Sequence, residues 1–389
     1  MPTDMELFGG TMMSPIVDPY SVYRRLRQEQ PVICVEGLLG RDHLVTRYDD
    51  VLAILKNPTL FSSRANARGA GLVMGRTILE MDGREHLRHR TLITPFFAPS
   101  ALRGGVEAMI EATVHHLIDQ FVADGRADLI PQFTFTFPMR VIAHIIGIPV
   151  DDFATFHHWA ADLLRIGDDP EKGFAASAWL IDYLRPILDQ RRAQPDAGLL
   201  SALLHTEIDG QRLTDEEVLS FLRLLLPAGA ETTYRLLGST LFALLSHPDQ
   251  LEEVQVDRSK LDLAIEETLR WEAPIQYVSR ETTTDATVAG IDIPAGELVS
   301  AALGSANRDE RHFEDPDQFD LHRRRDDHLA FGLGPHFCAG SHLARAEARV
   351  ALGALLDRLP NLRLDSAHRP QVVGLALRSP DRLHVLFDA

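Results

Sequence analysis

Phe331-Gly332-Leu333-Gly334-Pro335-His336-Phe337-Cys338-Ala339-Gly340 runs straight into a helical pattern that continues to about Leu359. Its glycines let the backbone turn tightly and approach a flat ligand. A thiolate at a helix start faces free N–H groups and the positive end of the helix dipole. These favour the anion by about 0.3–1 kcal/mol, and by more when it is partly buried. Three readings compete for this loop. In the first, Cys338 is a free buried cysteine beside a glycine turn. In the second, Gly332-Leu333-Gly334 opens a dinucleotide loop, against which stands Phe337 where the third glycine belongs. In the third, His336, Cys338 and His342 hold zinc, with no fourth ligand evident. Spacing alone does not decide among these.

Outward from the loop, the most informative helix begins at Leu213-Thr214-Asp215-Glu216-Glu217. Thr214 can cap the free N–H groups, and Glu217 stands three residues on, as a capping box requires. The pattern runs to Ser246, where His247-Pro248 stops it. That is about 32 residues, or roughly 48 Å at 1.5 Å per residue. A helix so long and so apolar must cross the middle of the protein. Pro227 and Gly229 sit inside it. Pro227 removes a donor to the carbonyl of Arg223, and the pair predicts a bend and a groove at Ala228 to Thr233. A second helix spans about Lys260 to Trp271, with Glu267 and Arg270 placed to pair at i and i+3. On the helix after Cys338, Leu343, Ala346, Val350 and Ala354 share one face. Short β-rich runs lie at Val32 to Val35, His43 to Thr46, Thr287 to Ile293, Leu298 to Ala302 and His384 to Phe387. With no repeat or low-complexity linker, this pattern predicts one mainly α domain over residues 1–389, carrying small sheets.

Bulk properties exclude several classes. The chain has 389 residues, 39 Lys+Arg and 56 Asp+Glu, for a formal net charge of −17. So acidic a surface repels nucleic acid and anionic lipid overall. Two cysteines, Cys34 and Cys338, stand some 300 residues apart and can form neither a disulfide framework nor a CxxC pair. A reducing cytoplasm is the expected location. Met1 to Met13 carries Asp4 and Glu6 and no basic residue, unlike a signal peptide. The longest apolar run, Phe221 to Ala230, is broken by Arg223 and ends at Glu231, short of the roughly 20 residues a membrane span needs. A soluble protein is expected. Cys34, in an apolar run, reads as inert core. The pairs His115-His116 and His157-His158 cannot face one way on a helix and read as surface or core histidines.

Taken together, these stretches resemble the cytochrome P-450 family. Phe331 to Gly340 matches its heme loop, F-x-x-G-x-[HR]-x-C-x-G, at every fixed position. Glu267-Thr268-Leu269-Arg270 matches E-x-x-R, with Pro274 following. Ala228-Gly229-Ala230-Glu231-Thr232-Thr233 matches A-G-x-[DE]-T-T in the long helix. Asn307-Arg308-Asp309, Phe313, Pro316, Phe319-Asp320 and Arg323 match the meander before the heme loop. His86 and Arg90 match an H-x-x-x-R helix. The matches fall in family order along nearly the whole chain. Pro227 is a departure, standing where many members carry an aliphatic residue.

The resemblance implies a mainly helical triangular prism with small β-sheets, holding heme b between the long helix and the cysteine helix. Cys338 would be the axial iron ligand, a thiolate that pushes electron density onto iron and favours O–O cleavage. His86, Arg90, Arg280 and His336 would bind the propionates. Ala228, Phe331, Gly332 and Gly340 would contact the cofactor. Glu267 and Arg270 would be a structural ion pair bracing the meander through Arg323 or a neighbour. Glu231 and Thr232 would be the acid–alcohol pair that delivers protons during oxygen activation. The implied function is a monooxygenase using O2 on a small hydrophobic substrate, by hydroxylation or epoxidation. Two cysteines cannot hold an iron–sulfur cluster. Electrons from NAD(P)H would therefore come through a ferredoxin or flavodoxin and its reductase. Arg84, Arg88, Arg324, Arg345 and Arg349 suggest a basic docking patch. Leu224, Ile275, Val278 and Leu375 are candidates for the substrate pocket. The alternatives are a heme-binding sensor or carrier, or the same fold using peroxide or performing oxidative coupling.

Overall fold

Thr214 adopts an extended conformation, and its hydroxyl accepts from the Glu217 N–H at 3.3 Å while Glu217 Oε2 accepts from the Thr214 N–H at 2.8 Å. This reciprocal cap satisfies two donors at the helix start. The helix it opens runs unbroken from Asp215 to Ser246, through Pro227. The computed structural model describes residues 16–37, 40–149, 153–208, 210–323 and 327–389. The N-terminal stretch Met1 to Met13 and Arg324 lie outside them.

The helices that frame the molecule are α1 (Tyr20–Glu29), α2 (Tyr48–Lys56), α3 (Gly83–Phe97), α4 (Glu107–Ile118), α5 (Phe137–Ile146) and α6 (Phe153–Leu163). They continue with α7 (Pro170–Ala193), α8 (Leu199–His205), α9 (Asp215–Ser246), α10 (Pro248–Val256), α11 (Leu261–Trp271) and α12 (Ser341–Arg358). Helix α9 is the central element, packed against α5, α6, α11 and α12. Its leucines 222, 226, 236, 237, 241 and 244 are almost wholly buried in the main core. Gly229 permits the close approach of α5, since a Cβ there would meet Ile142 Cγ1 at 2.8 Å. Arg223, the one charge in the apolar run Phe221 to Ala230, is also buried. It donates to Val73 O at 3.1 Å and Ser177 Oγ at 3.0 Å and pairs with Glu216. Its desolvation is thereby offset by partners on two other segments.

The main sheet has five strands, β1 (Val32–Gly37), β2 (Gly40–Val45), β3 (Phe61–Ser62), β4 (Val278–Thr282) and β5 (Leu298–Ala301), in the order β1-β2-β5-β4-β3. Strand β5 pairs parallel with β2 and the other pairs are antiparallel. A second core of Val45, Val51, Ile54, Phe61, Val299 and Leu329 lies under this sheet. The run Thr287 to Ile293 is not one strand. Ala289 at φ +47° and Gly290 at φ +81° turn it into a hairpin of Ala286–Val288 with Ile291–Ile293. Cys34 is exposed on β1, the edge strand of the sheet, so it is not core.

Glu267 and Arg270 on α11 are both 0% exposed. Arg270 donates to Glu267 at 2.8 and 2.9 Å and to the carbonyls of Asn307, Pro316 and Gln318 at 2.9, 2.8 and 3.0 Å. Arg323 Nε donates to Glu267 Oε1 at 3.1 Å, as does the Asp320 N–H at 3.0 Å. One buried ion pair thus holds the whole approach to the cysteine loop. Removing one member of such a pair leaves a buried charge unpaired and costs about 3–5 kcal/mol. Arg270→Ala is expected to lose that much in denaturant unfolding. A loss within the roughly 0–1 kcal/mol of a surface pair would contradict the role.

Candidate active site

Two glycines shape the cysteine loop. Gly332 and Gly334 have φ of +69° and +73°, and a Cβ on Gly334 would meet the Leu55 carbonyl oxygen at 2.8 Å. Past a short turn at Gly334–His336, the Cys338 N–H donates to Phe331 O at 2.9 Å. Three residues on, α12 begins. Burial pushes the Cys338 thiol up, while the Gly340 N–H and the charges of Arg90 and Arg345 pull it back in part. Arg345 also lies over the Phe331 ring at 4.5 Å.

Beside the loop stand four donors. His86 and His336 are tilted rings with centroids 4.1 Å apart. Arg90 donates to the Phe337 carbonyl and so ties α3 to the cysteine loop. Arg280, on β4, donates to Ser279 O at 2.8 Å and is buried. Burial, then the charges of His86, Arg280 and Arg90, pushes His336 down to about 4, with Asp82 opposing. Burial and Arg90 likewise lower His86. The nearest carboxylate, Asp82 at 3.7 Å from His336 Nε2, is already shared with Ser62 and Ser63. His86 Nε2 is buried with no hydrogen-bond partner. Donors crowded this way call for an anion. The two propionates of a heme beside a thiol fit this set. Zinc does not, since among the described residues no three His, Cys, Asp or Glu side chains converge as a metal site.

Helix α9 is buried from Val218 to Leu241 except at Ala228, Gly229 and Thr232. Ala228 and Thr232 are one turn apart on the same face, and the Thr232 hydroxyl donates to Ala228 O at 2.8 Å. The helix is therefore accessible at the turn where the sequence predicted a groove, and this occurs without a break in the helix. Glu231 points elsewhere. Its Oε1 lies 2.9 Å from His157 Nε2 and its Oε2 accepts from Arg235 at 3.3 Å, all three side chains being buried. Burial raises this carboxyl, but the His157 bond and the charges of Arg235 and His157 outweigh it and hold it below its ordinary range. The His157 ring stacks flat on Phe135 at 3.5 Å. His157 is thus a partner of Glu231 that the sequence did not reveal. The two stand 74 residues apart, and only tertiary packing of α6 on α9 joins them.

Of the pocket candidates, Ile275 and Val278 are partly exposed, and Ile275 bridges to Leu377. Leu375 is a correction. It is buried in a separate cluster with Tyr20, Val22, Leu26, Ile33 and Leu44, so it packs the sheet against α1. Leu224 lies one turn before Ala228 but is buried in the main core. The basic patch is also smaller than the sequence suggested. Arg345 pairs with Glu266 at 2.5 Å and Arg349 with Asp262 at 2.7 Å, which cancels their charge. Arg84 and Arg88 remain exposed on α3, with Leu87 between them, and Phe337 is exposed beside Cys338.

A cysteine at a helix start, next to a cluster of imidazole and guanidinium donors, is the arrangement that a heme-thiolate site needs. The comparisons with known proteins agree. The cytochrome P-450 family model matches residues 160–370. The chain is 39% identical over 360 residues to the cytochrome P-450 monooxygenase PikC of Streptomyces venezuelae, covering 90% of this chain and 85% of that protein. The structure of cytochrome P-450 CYP109Q5 from Chondromyces apiculatus superposes with a TM-score of 0.86 at 36% identity, covering 96% of both chains. That of CYP109E1 from Bacillus megaterium, in complex with testosterone, gives 0.88 at 30% identity, covering 96% of this chain and 98% of that one. The chain belongs to the cytochrome P-450 family. It is a heme-thiolate monooxygenase, an oxidoreductase that uses heme iron and O2. Among the described residues no helix is long and apolar enough to cross a membrane.

The pairing of Glu266 fixes the cysteine helix to α11. Burial acts to raise Glu266, but Arg345 and His328 outweigh it and hold the carboxyl at about 2, against an ordinary 4.5. A depressed carboxylate contributes stability above its unfolded pKa and loses it as pH falls through its folded one. This contribution is therefore present above 4.5 and disappears on acidification toward 2. Glu266→Gln should flatten that arm of the melting temperature against pH. An unchanged arm would remove the pair from the acid response.

Proposed function

We propose that this enzyme inserts one atom of O2 into a small hydrophobic molecule, by hydroxylation or epoxidation, with Cys338 as the axial ligand of heme b. The observation that carries the reading is Cys338 at the mouth of α12, beside a buried His86 Nε2 that has no partner. His86, Arg90, Arg280 and His336 would hold the propionates through charge-assisted hydrogen bonds. Phe331, Gly332, Gly340 and Ala228 would lie against the porphyrin. When bound, the heme supplies oxygen activation, with electron density pushed onto iron by the thiolate. The protein supplies the rest. Thr232 presents a hydroxyl at the accessible turn of α9, where it can leave the Ala228 carbonyl and hold a water. Glu231 fixes the charge behind that turn through His157 and Arg235.

An apolar substrate is supported by Ile275 and Val278, which are apolar and partly exposed. The related Bacillus megaterium structure contains testosterone, itself a small and largely apolar molecule. Electrons would come from NAD(P)H through a ferredoxin or flavodoxin and its reductase. The docking surface would centre on Arg84, Leu87 and Arg88, because α3 also carries Arg90, which touches the cysteine loop. The enzyme would work in the cytoplasm, where such partners and reduced thiols are found.

The test is turnover with NADPH, a ferredoxin and its reductase under isotopically labelled O2. The product should carry one labelled oxygen and should require the partner. Reversing Arg84 and Arg88 to Glu should slow reduction and weaken its salt dependence. Unlabelled product formed from peroxide alone would point to the peroxide-using alternative. Thr232→Ala should raise the electrons consumed per product, because proton delivery to bound oxygen is impaired. Equal coupling would take Thr232 out of the mechanism.

A further inference from the structure

The segment from Ser63 to Asp82 forms a strap that leaves the donor cluster and returns to it. Ser63 Oγ lies 3.0 Å from His336 Nε2, and Asp82 Oδ1 lies 3.7 Å from the same atom. Midway along the strap a short helix, Gly71–Met74, ends at Gly75, which has φ +77°. A helix end leaves its last carbonyls without partners in the helix, and the Val73 carbonyl is one of these. Ser177 of α7 donates to it at 2.6 Å and Arg223 of α9 at 3.1 Å. Arg223 also donates to Ser177 Oγ at 3.0 Å, so one guanidinium closes a ring of bonds across three segments. Gly75 fits tightly against the same side chain, since a Cβ there would meet Arg223 Nη2 at 3.0 Å and would clash with Ser220 Oγ. Arg223 stands five residues before Ala228. The strap therefore crosses from the donors to the helix that bears the accessible turn, and it bounds the space in front of that turn.

We propose that Arg223 is a positioning residue of the substrate space, holding the strap and α7 at a fixed distance from α9 and so limiting the bulk of the molecule admitted. This rests on the heme-thiolate reading of the site. A charge inside an apolar helix costs desolvation, and an aliphatic side chain at this position would pack without that cost. What the guanidinium adds is direction, because its bonds to Val73 and Ser177 fix where the two other segments stand. Its carboxylate partner, Glu216, is 65% exposed, and an ion pair that open to water contributes little. The bonds to Val73 and Ser177 are buried, and hydrogen bonds from a charged donor are the stronger kind.

Arg223→Met keeps an unbranched side chain and good helix propensity but loses every one of these bonds. The probes are imidazole and 4-phenylimidazole, each bound to the ferric heme protein and read from the Soret shift of nitrogen ligation. In Arg223→Met the affinity for 4-phenylimidazole should rise at least about tenfold relative to that for imidazole, the worth of one hydrogen bond to a charged group. A merely structural arginine would move both affinities together. Trypsin reads the strap without reference to heme. Cleavage after Arg68 and Arg76, which are exposed on the strap, should quicken in the variant ahead of cleavage elsewhere in the chain. A parental ratio of the two affinities, or parental cleavage at these two sites, overturns the proposal. The reduced, carbon-monoxide-bound spectrum tests the heme-thiolate reading separately, so the two failures are distinguishable. If Arg223→Met does not fold, Ser177→Ala removes two bonds of the ring, leaves Arg223 paired with Glu216, and should move the ratio in the same direction. A parental ratio there sinks the proposal equally.

Discussion

A sulfur anion can be kept inside a protein only where positive charge and N–H donors outweigh the loss of water. At Cys338 burial works against the thiolate, and the Gly340 N–H, Arg90 and Arg345 compensate only in part. In the proposed heme site the iron would supply the remaining stabilisation, binding the thiolate and releasing its proton. Much of the surrounding structure reads as support for that one bond. Gly332 and Gly334 turn the loop, Arg90 fastens it to α3, and Glu266 fastens Arg345 and α12 to α11. Behind these, Glu267 and Arg270 hold the chain that leads into the loop.

Helix α9 carries the opposite side of the site under a different constraint. It has to be apolar enough to cross the core and yet present polar groups at one turn. The sequence solves this by pairing its charges. Arg223 is satisfied by Val73, Ser177 and Glu216, and Glu231 by His157 and Arg235. Thr232 bonds within the helix to Ala228. Each of these groups is therefore tolerated by a specific partner, and between Val218 and Leu241 the accessible turn is confined to Ala228, Gly229 and Thr232.

How much of this could be read from the sequence follows from the range of the interactions. The capping box at Thr214 and Glu217, the Glu267–Arg270 pair and the cysteine loop are encoded within three to ten residues, and each was legible. Contacts made by distant segments were not. Nothing near Glu231 or His157 announces their pairing. Leu375 looked like a pocket residue because it is apolar, but its neighbours belong to α1 and the sheet. Arg345 and Arg349 looked like free surface charge until α11 supplied Glu266 and Asp262. Gly229 read as a helix breaker, whereas its place is explained by Ile142 of α5. Cys34 read as core because its run is apolar, although its place on the edge strand leaves it exposed.

The most direct measurement is the absorption spectrum of the reduced protein under carbon monoxide, taken for the parent and for Cys338→Ser. The account predicts the red-shifted Soret band of thiolate ligation in the parent and its loss in the variant. A band typical of histidine ligation in the parent, or one that survives the loss of this sulfur, would contradict it.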